Sequence, residues 1–311
     1  MKKLICLLLS AVMLLGLCAC GGGSDTPKGD EPKATTMQVG FGKSNMMPET
    51  VVTIAGGEDP NRLSTGYLDY LTASCIAFSD GNKTVLLFTT DMQCLTSSFL
   101  GNIYDVLFKE TGIPTENIMI SCTHDHSSPS MTMSHTGISD FRSGPFAYAM
   151  LASAKAAIKD LAPAETYIGE SKTEGMVFVR HYRMKDGTTY GNGHGNEKAG
   201  IKEHLYPADP ELQVIKFARE AEDKKDVVLL NLGAHATMMN SIDANMISGD
   251  WPYVARTYVE ENSDSLCAVF EAAAGDQIPN SNMKRAIAQI LLDEGYIKGF
   301  EVVESVADII A

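Results

Sequence analysis

The feature that most constrains this chain is its alternation of short apolar runs, rich in Val, Ile, Leu and Phe, with stretches of helical spacing. Residues 84–90 (TVLLFTT) predict a buried strand, because the run is short and bounded by polar residues. Residues 97–112 follow with the spacing of a helix and a stop signal at Gly112. Repeated alternation of this kind predicts an α/β fold, a layered mixed sheet with helices on its faces.

Further strand predictions share one property, which is that acids and histidines stand at their carboxyl ends. Residues 117–122 run into a His-Asp-His segment, 227–232 lead to a histidine, and 267–270 lead to a glutamate. A long alanine-rich helix is predicted from Pro145. In open α/β sheets the binding crevice lies outside the carboxyl ends of the strands, so these side chains are expected to be neighbours. They are Asp91, His124, His126, His235 and Glu271.

His124 and His126 are the strongest candidates for a metal site. Alternate side chains of a strand point to the same face, so residues two apart at a strand end can approach one ion or one substrate. A catalytic zinc takes three His or carboxylate ligands and keeps one position open. His235 could be the third ligand, or one of the three histidines could orient a ligand or donate a proton instead. The alternative is that the pair only hydrogen-bonds a turn.

The remaining histidines lie in polar segments and are predicted to be solvated surface residues. They are His135, His181, His194 and His204. The segment 181–204 is long, polar and rich in glycine, which is typical of a lid or substrate-facing loop and equally of a loop without function. A serine-hydrolase elbow of the form Gly-x-Ser-x-Gly is absent from the sequence.

The first twenty residues predict export and lipid anchoring. Lys2 and Lys3 precede an apolar run too short for a bilayer crossing, which indicates a signal peptide. The run ends in small residues before Cys20, the pattern of a bacterial lipobox, so a lipid on Cys20 is expected to hold the chain on the outer face of the cell membrane. Residues 21–36 are Gly, Pro and charge, which predicts a flexible tether before a folded domain near Met37.

Charge argues against a nucleic-acid-binding protein, and the cysteines argue against a disulfide-stabilised scaffold. The net charge of -14 argues against nucleic acid as a partner, because that contact requires basic surface. Cys75, Cys94, Cys122 and Cys267 lie in or beside apolar stretches, which favours buried small side chains over a disulfide framework.

Four segments together resemble the N-terminal part of the neutral/alkaline ceramidases, which are zinc amidases. Residues 39–48 are similar to the family's opening segment, and residues 117–129 (NIMISCTHDHSSP) are similar to its strand ending in Thr-His-Thr-His-Ser-Gly-Pro. Residues 232–250 and 274–276 are similar to its histidine segment and to its Gly-Asp motif. The resemblance spans about residues 37–277.

The resemblance implies roles for four residues. His124 and His235 would be zinc ligands, His126 would be a hydrogen-bonding or proton-handling group beside the metal, and Arg180 would lie near the substrate. It implies Zn²⁺ as cofactor and hydrolysis of the amide of ceramide, a membrane lipid. The family's remaining Glu and Tyr ligands come after its Gly-Asp motif, so the catalytic domain is expected to be incomplete and turnover low or absent.

Residues 278–304 predict one amphipathic helix and resemble ribosomal protein S8 of the bacterial small subunit. Residues 278–311 are therefore expected to be a foreign tail, unless the likeness is chance in an ordinary helix. Two other functions remain open at this point. One is a non-catalytic surface lipoprotein that binds lipid or glycan, and the other is a metal hydrolase for a different amide or ester.

Overall fold

The computed structural model describes residues 37–57, 59–132, 134–191, 199–239, 244–280 and 283, all within one compact unit of the chain. The predicted signal peptide, the lipobox at Cys20, the tether and His194 lie outside these residues. Most of the predicted foreign tail lies outside them as well. No helix in the described part is both long and apolar enough to cross a bilayer.

Eight strands form one mixed sheet. They are β1 Gln38–Asn45, β3 Thr72–Ser79, β4 Thr84–Thr90, β5 Ile118–Cys122, β6 Ala162–Lys172, β11 Glu211–Arg219, β12 Asp226–Leu232 and β14 Ser265–Glu271. Their order across the sheet is β14-β12-β11-β6-β1-β3-β4-β5. Two pairs of neighbours are parallel, β4 with β5 and β12 with β14, and the other neighbours are antiparallel.

Shorter strands form three small sheets within the described residues. β10 Ile201–His204, β8 His181–Met184 and β9 Thr189–Gly191 make a three-stranded antiparallel sheet. The two-stranded sheets are β2 Gly66–Tyr67 with β13 Met246–Ile247, and β7 Val177–Val179 with β15 Gln277–Pro279.

The helices are α1 Ser97–Thr111, a 3₁₀ turn Thr115–Asn117, α2 Ile138–Phe141, a π-helical turn Arg142–Phe146, α3 Ala147–Lys159 and α4 Asp250–Asn262. In α1, Phe99, Ile103 and Leu107 recur every four residues and are buried, so one face of the helix packs on the sheet. Gly112 ends α1 in a left-handed conformation at φ 73°, and its N–H donates to the carbonyl of Phe108.

Helix α3 packs closely on β1 because two residues of that strand have no side chain. A Cβ atom on Gly40 or Gly42 would collide with main-chain carbonyl oxygens of α3, those of Ala157 and Ser153 respectively. Ala154 of the same helix is fully buried in the core it shares with β3 and β4. Glycines in β1 thus set how close the helix layer lies to the sheet.

The second half of the sheet has its own helix. Trp251 and Val254 of α4 pack against apolar residues of β12 and β14 such as Leu230 and Val269. A third cluster joins side chains from β1 and β3 to side chains from β11, β12 and β14. The Oγ1 of Thr89 in β4 donates to the carbonyl of Val269 at 2.7 Å. The curled sheet therefore packs one face on itself and places its helices outside.

This arrangement confirms the predicted α/β class with a mixed sheet and helices on its faces. It also brings the carboxyl ends of two parallel pairs together, since β14 lies beside β4 and β5. Because the curl folds the two ends of the sheet toward each other, residues following β5 and β12 can meet although their strands are six positions apart in the sheet.

Three local predictions were wrong. The segment from 181 to 204 was expected to be a loop, but its described residues include the three strands β8, β9 and β10. Ile278 was expected to begin a helix, but it lies in β15, where it pairs with Phe178 of β7. Among the four cysteines, all of them free, Cys94 is exposed rather than buried.

We predict that Gly42→Ala destabilises the domain by about 1–3 kcal/mol, because the added methyl group forces α3 away from β1. Urea denaturation measures this change. Gly101→Ala is the matched control, since an added Cβ on that exposed residue of α1 meets nothing within 4 Å. It should stabilise the protein by roughly 0.5–1 kcal/mol. Equal effects of the two substitutions would contradict the proposed packing.

Candidate metal centre

Three histidines from two loops converge at the carboxyl ends of β5 and β12. The ligand atoms of His124, His126 and His235 all lie within 4.8 Å of one another. Their ring centroids are 4.7 to 5.1 Å apart, and the rings meet edge to face. Among the described residues, this is the one group of histidines, cysteines and acids with the spacing of a metal site.

A tight turn, and not strand alternation, places the first two histidines side by side. Strand β5 ends at Cys122, and His124 has a left-handed backbone at φ 53°. The carboxylate of Asp125 accepts the N–H of Ser127 at 2.8 Å, and the Oγ of Ser128 donates to the carbonyl of Asp125 at 2.9 Å. The two histidines lie side by side as predicted, but the prediction that strand alternation places them there was wrong, because both follow the end of β5.

His235 lies in the loop that follows β12. Its N–H donates to the carbonyl of Gln277 at 2.9 Å, and the indole of Trp251 donates to the carbonyl of Ala234 at 2.6 Å. The N–H of His126 donates to the carbonyl of Ala236 at 3.0 Å, which joins the two histidine loops directly. The loop is therefore held by β15, by α4 and by the other histidine turn.

Hydrogen bonds at Nδ1 orient two of the rings. Nδ1 of His124 lies 2.9 Å from the carbonyl oxygen of Gln93, and Nδ1 of His235 lies 3.2 Å from the carbonyl oxygen of Ala274. A carbonyl only accepts, so both Nδ1 atoms carry the proton and both Nε2 atoms offer a lone pair. Such outer partners are typical of metal-ligating histidines.

The electrostatic surroundings lower the pKa values of His126 and His235. Burial, followed by the neighbouring His235 and His124, lowers the pKa of His126 to about 3. Burial, followed by His124, lowers the pKa of His235 to about 4. The charge of Arg180 lowers both pKa values further. Neutral imidazole is the form that binds a metal ion.

Two residues of the preceding loop form the back of the site. A Cβ on Gly56, whose φ is 91°, would lie 2.7 Å from Nδ1 of His126, so glycine is required there for the ring to fit. The guanidinium of Arg62 donates to the carbonyls of Ala55, His126 and Ala244. It thereby holds together three loops around the histidines.

Asp91 was expected beside the histidines and has a different partner. It forms a buried ion pair with Arg256 of α4, and its Oδ2 also accepts from the main chain and hydroxyl of Thr72. Asp69 lies in the same buried region, where burial raises its pKa to about 7 despite hydrogen bonds from Ser248 and Gly249. Asp91 therefore fixes α4 to the sheet and lies outside the histidine cluster.

Two buried carboxyl groups near the site lack partners for one oxygen each. Oδ2 of Asp125 and Oε1 of Glu271 are buried with no hydrogen bond. Burial, followed by the charge of Asp250, raises the pKa of Asp125 well above its usual value. The same two causes raise the pKa of Glu271 to about 9. Glu271 is thus a neutral group at physiological pH and lies outside the metal-binding set.

Arg180 lies between β7 and β8 and contacts the segment that contains Gly275 and Asp276. Its guanidinium donates to the carbonyl of Gly275 at 2.6 Å, and its N–H donates to the carbonyl of Asp276 at 2.8 Å. It thereby fixes the Gly-Asp segment that follows the carbonyl partner of His235. Its effect on both histidine pKa values places its charge close to the cluster.

Three of the histidines predicted at the surface each form a hydrogen bond with a neighbouring group. His135 is half-buried with its Nδ1 2.9 Å from Oγ of Ser130. Nδ1 of His181 lies 3.0 Å from the hydroxyl of Tyr206. His204 is exposed, and its Nδ1 donates to the carbonyl oxygen of Val179 at 2.7 Å. In the described structure these three do not join the cluster.

The donor set fits one metal ion. Three imidazoles converge, and in His124 and His235 a carbonyl holds Nδ1, so that Nε2 is the atom available to an ion. Three such rings with one position left open are a donor set that suits a tetrahedral site. Residues 37–287 match the model of the neutral/alkaline non-lysosomal ceramidase family, N-terminal domain.

The chain belongs to this ceramidase family.

Solved ceramidase structures share its fold. Neutral ceramidase from Pseudomonas aeruginosa superposes with a TM-score of 0.65 and 17% sequence identity, covering 84% of this chain and 44% of that one. A structure described as ceramidase complexed with C2 also gives a TM-score of 0.65, with 18% identity, and covers 84% of this chain and 43% of that one. The chain thus spans less than half the length of these structural relatives.

The likeness to the ribosomal protein is also present and short. Small ribosomal subunit protein uS8 from Alkaliphilus oremlandii is 70% identical over 27 residues, which is 9% of this chain and 20% of that protein. The same protein from Alkaliphilus metalliredigens is 67% identical over 52 residues, or 15% of this chain and 39% of that protein. The family match extends to residue 287, past the predicted start of the tail at 278.

Sequence reasoning missed the residues that surround the ceramidase-family histidines. Gln93 could have been noticed, because it stands two residues after Asp91 at a strand end. Gly56 and Arg62 gave no signal, since their roles depend on a loop that pairs only in the tertiary structure. The ligand and catalytic roles of the histidines and Arg180 stay predictions.

We predict that Glu271→Gln stabilises the metal-free protein increasingly as pH rises. The unfolded glutamate ionises near pH 4.5, whereas the folded carboxyl ionises at about 9, so between these values only the unfolded state loses the proton. Folding of the wild type therefore weakens as pH rises through this window, and glutamine removes the dependence. Urea denaturation in EDTA at pH 5 and pH 8.5 measures the difference.

Glu110→Gln is the control for this experiment. Glu110 is exposed and hydrogen-bonds Lys155, which lowers its pKa. Its substitution should give no stabilisation that grows with pH. If Glu271→Gln behaves in the same way, the carboxyl is ionised in the folded state and the buried neutral group is refuted.

Proposed function

We propose that this chain carries the histidine centre of a zinc-dependent amidase of neutral ceramidase type. The substrate class is an N-acyl sphingoid lipid such as ceramide, whose hydrolysis gives a fatty acid and a sphingoid base. The observation that carries the proposal is the convergence of three imidazoles, whose ligand atoms lie within 4.8 Å of one another, in a chain of this family.

His124 and His235 would hold the ion, since their Nε2 lone pairs point away from the carbonyls that bond Nδ1. A zinc ion held there would act as a Lewis acid toward the amide carbonyl and acidify the attacking water. His126 supplies a neutral ring whose Nε2 faces the same space, 3.0 Å from Nε2 of His235. It is placed to accept a proton from water and to deliver it to the leaving nitrogen.

Arg180 would act on the substrate side. Its guanidinium is half-buried and is already oriented by the carbonyl of Gly275. A fixed cation beside neutral histidines can bind a polar group of the lipid or stabilise negative charge that develops on the carbonyl oxygen. Its main-chain bond to Asp276 ties this role to the family's Gly-Asp motif.

Location belongs to the same proposal. A lipid on Cys20 would hold the exported chain on the outer face of the bacterial membrane, and a ceramide-like substrate is itself a membrane lipid. The tether would raise the local concentration of enzyme at that surface. The net charge of -14 makes nucleic acid an unsuitable partner.

We predict that His124→Ala and His235→Ala each weaken zinc binding by more than about 100-fold and remove the low amide hydrolysis expected of this incomplete catalytic domain, because each removes a ligand. Zinc is measured by competition with a chromogenic chelator, and hydrolysis with ceramide that carries a fluorescent fatty acid. His135→Ala is the matched control, since this half-buried histidine contacts Ser130 and lies outside the cluster.

The same assay separates the alternatives. Hydrolysis of simple esters without hydrolysis of N-acyl lipids would indicate a metal hydrolase for another substrate. Lipid or glycan binding that survives both alanine substitutions, with no turnover in the wild type, would indicate a non-catalytic surface lipoprotein. Absence of zinc binding by the wild type would refute the metal centre itself.

A further inference from the structure

The peptide group that leads into His235 is held at both of its ends. Its carbonyl, which belongs to Ala234, accepts the indole N–H of Trp251 at 2.6 Å. Its N–H, which belongs to His235, donates to the carbonyl of Gln277 at 2.9 Å. Because a peptide group is planar, bonds at its two opposite ends fix the orientation of the whole plane. The side chain of His235 therefore starts from a fixed point and has a narrow range of directions.

The hydrogen bond from the indole is fully buried. Trp251 is 2% exposed and Ala234 is 0% exposed, so solvent cannot replace the indole as a donor. A buried carbonyl that loses its donor is costly, and the loop would have to change its geometry to satisfy it. The indole also packs in the apolar cluster that contains Leu230 and Val269. Phenylalanine in its place would keep most of this packing and remove the donor.

The start of α4 holds the far end of the same loop as well. Oδ2 of Asp250 accepts the N–H of Met239 at 2.7 Å, and its Oδ1 accepts the N–H of Trp251 at 2.6 Å. Asp250 has a left-handed backbone at φ 54°, a conformation that residues with a side chain rarely adopt. Two consecutive residues of α4 thus bind the two ends of the loop 234–239, one through a carboxylate and the other through an indole.

The segment 248–251 also contacts the turn of the other two histidines. The N–H of Ser248 donates to the carbonyl of Ser127 in that turn, at 3.1 Å. The carboxylate of Asp69 accepts the hydroxyl of Ser248 and the N–H of Gly249, which holds the segment in place. One short segment at the start of α4 therefore binds both histidine loops and sets their separation.

We infer that Trp251 is a positioning residue, whose indole N–H fixes the peptide group before His235 and so sets how well this histidine binds an ion. The inference rests on the proposed function for the role of His235 as a ligand. Trp251 acts through the main chain of Ala234, and its effect on the metal centre is separate from its contribution to the apolar core.

The first test uses the metal-free full chain and needs no activity. Trp251 is the one tryptophan of the sequence, so its indole N–H gives a single ¹H–¹⁵N signal. We expect hydrogen exchange of this N–H in the wild type to be at least about 100-fold slower than in free tryptophan, because the group is bonded and buried. Exchange as fast as in free tryptophan would overturn the inference without any substitution.

Val254→Ala is the matched control for variants of Trp251. Val254 lies three residues further along α4, is 2% exposed and packs in the same apolar cluster. Its substitution weakens the packing of α4 and leaves the donor to Ala234 in place. The main-chain N–H of His235 should exchange at least about tenfold faster in Trp251→Phe than in Val254→Ala, after correction for their stabilities in urea. Equal protection in the two variants would refute the inference.

The second test measures binding of Co²⁺ alone by its visible absorption. Trp251→Phe should weaken binding by about 10- to 100-fold, the range found when a group that orients a metal-bound histidine is removed. Val254→Ala should stay within about 3-fold of the wild type, because its histidine loop keeps both hydrogen bonds. Equal Co²⁺ affinities in the two variants would show that Trp251 contributes packing alone.

The two tests separate this inference from the proposed function. If the wild type binds no Co²⁺, the metal centre of the proposed function fails, and hydrogen exchange alone decides whether Trp251 positions His235. If the wild type binds Co²⁺ but hydrolyses no N-acyl lipid, the substrate assignment fails, and the Co²⁺ affinities still decide the role of Trp251.

Discussion

The candidate metal centre depends on one main-chain hydrogen bond, from the N–H of His126 to the carbonyl of Ala236. This bond joins a loop that follows β5 to a loop that follows β12, and these strands belong to opposite ends of the sheet. It can form because the sheet curls and packs its inner face on itself through the cluster shared by β1, β3, β11, β12 and β14. Without that curl, the imidazoles would have no common space.

Glycines and buried charges stabilise the curled geometry. Gly40 and Gly42 let α3 approach β1, and the ion pair of Asp91 with Arg256 connects α4 to the end of β4. A buried pair of this kind adds little net stability, because desolvation offsets much of the attraction, but loss of one partner would leave a buried charge uncompensated. Burial and the charge of Asp250 raise the pKa values of Asp125 and Glu271 nearby, because ionised carboxyls are disfavoured where solvent is excluded and other acids are close.

Much of the architecture could be predicted because its signal is local. The runs at 84–90, 117–122 and 227–232 form strands, because a short apolar run is visible in the local sequence. Gly112 ends α1, because a glycine that can adopt a left-handed conformation is also a local signal. The predicted loop at 181–204 and the predicted helix from Ile278 failed for the opposite reason. β15 exists through pairing with the distant strand β7, and β8 exists through pairing with its neighbours β9 and β10; strands as short as these have little periodicity of their own.

The sequence by itself determined that histidines stand at the ends of two apolar strands and that their segments belong to the ceramidase family, since residue identity and spacing are sufficient for both. Only the tertiary structure decided that Asp91 pairs with Arg256, that burial raises the pKa of Glu271 to about 9, and that Gln93, Gly56 and Arg62 surround the imidazoles. The physical reason is that burial, hydrogen-bond geometry and the pKa of a side chain depend on groups brought near by folding, which the local sequence does not contain.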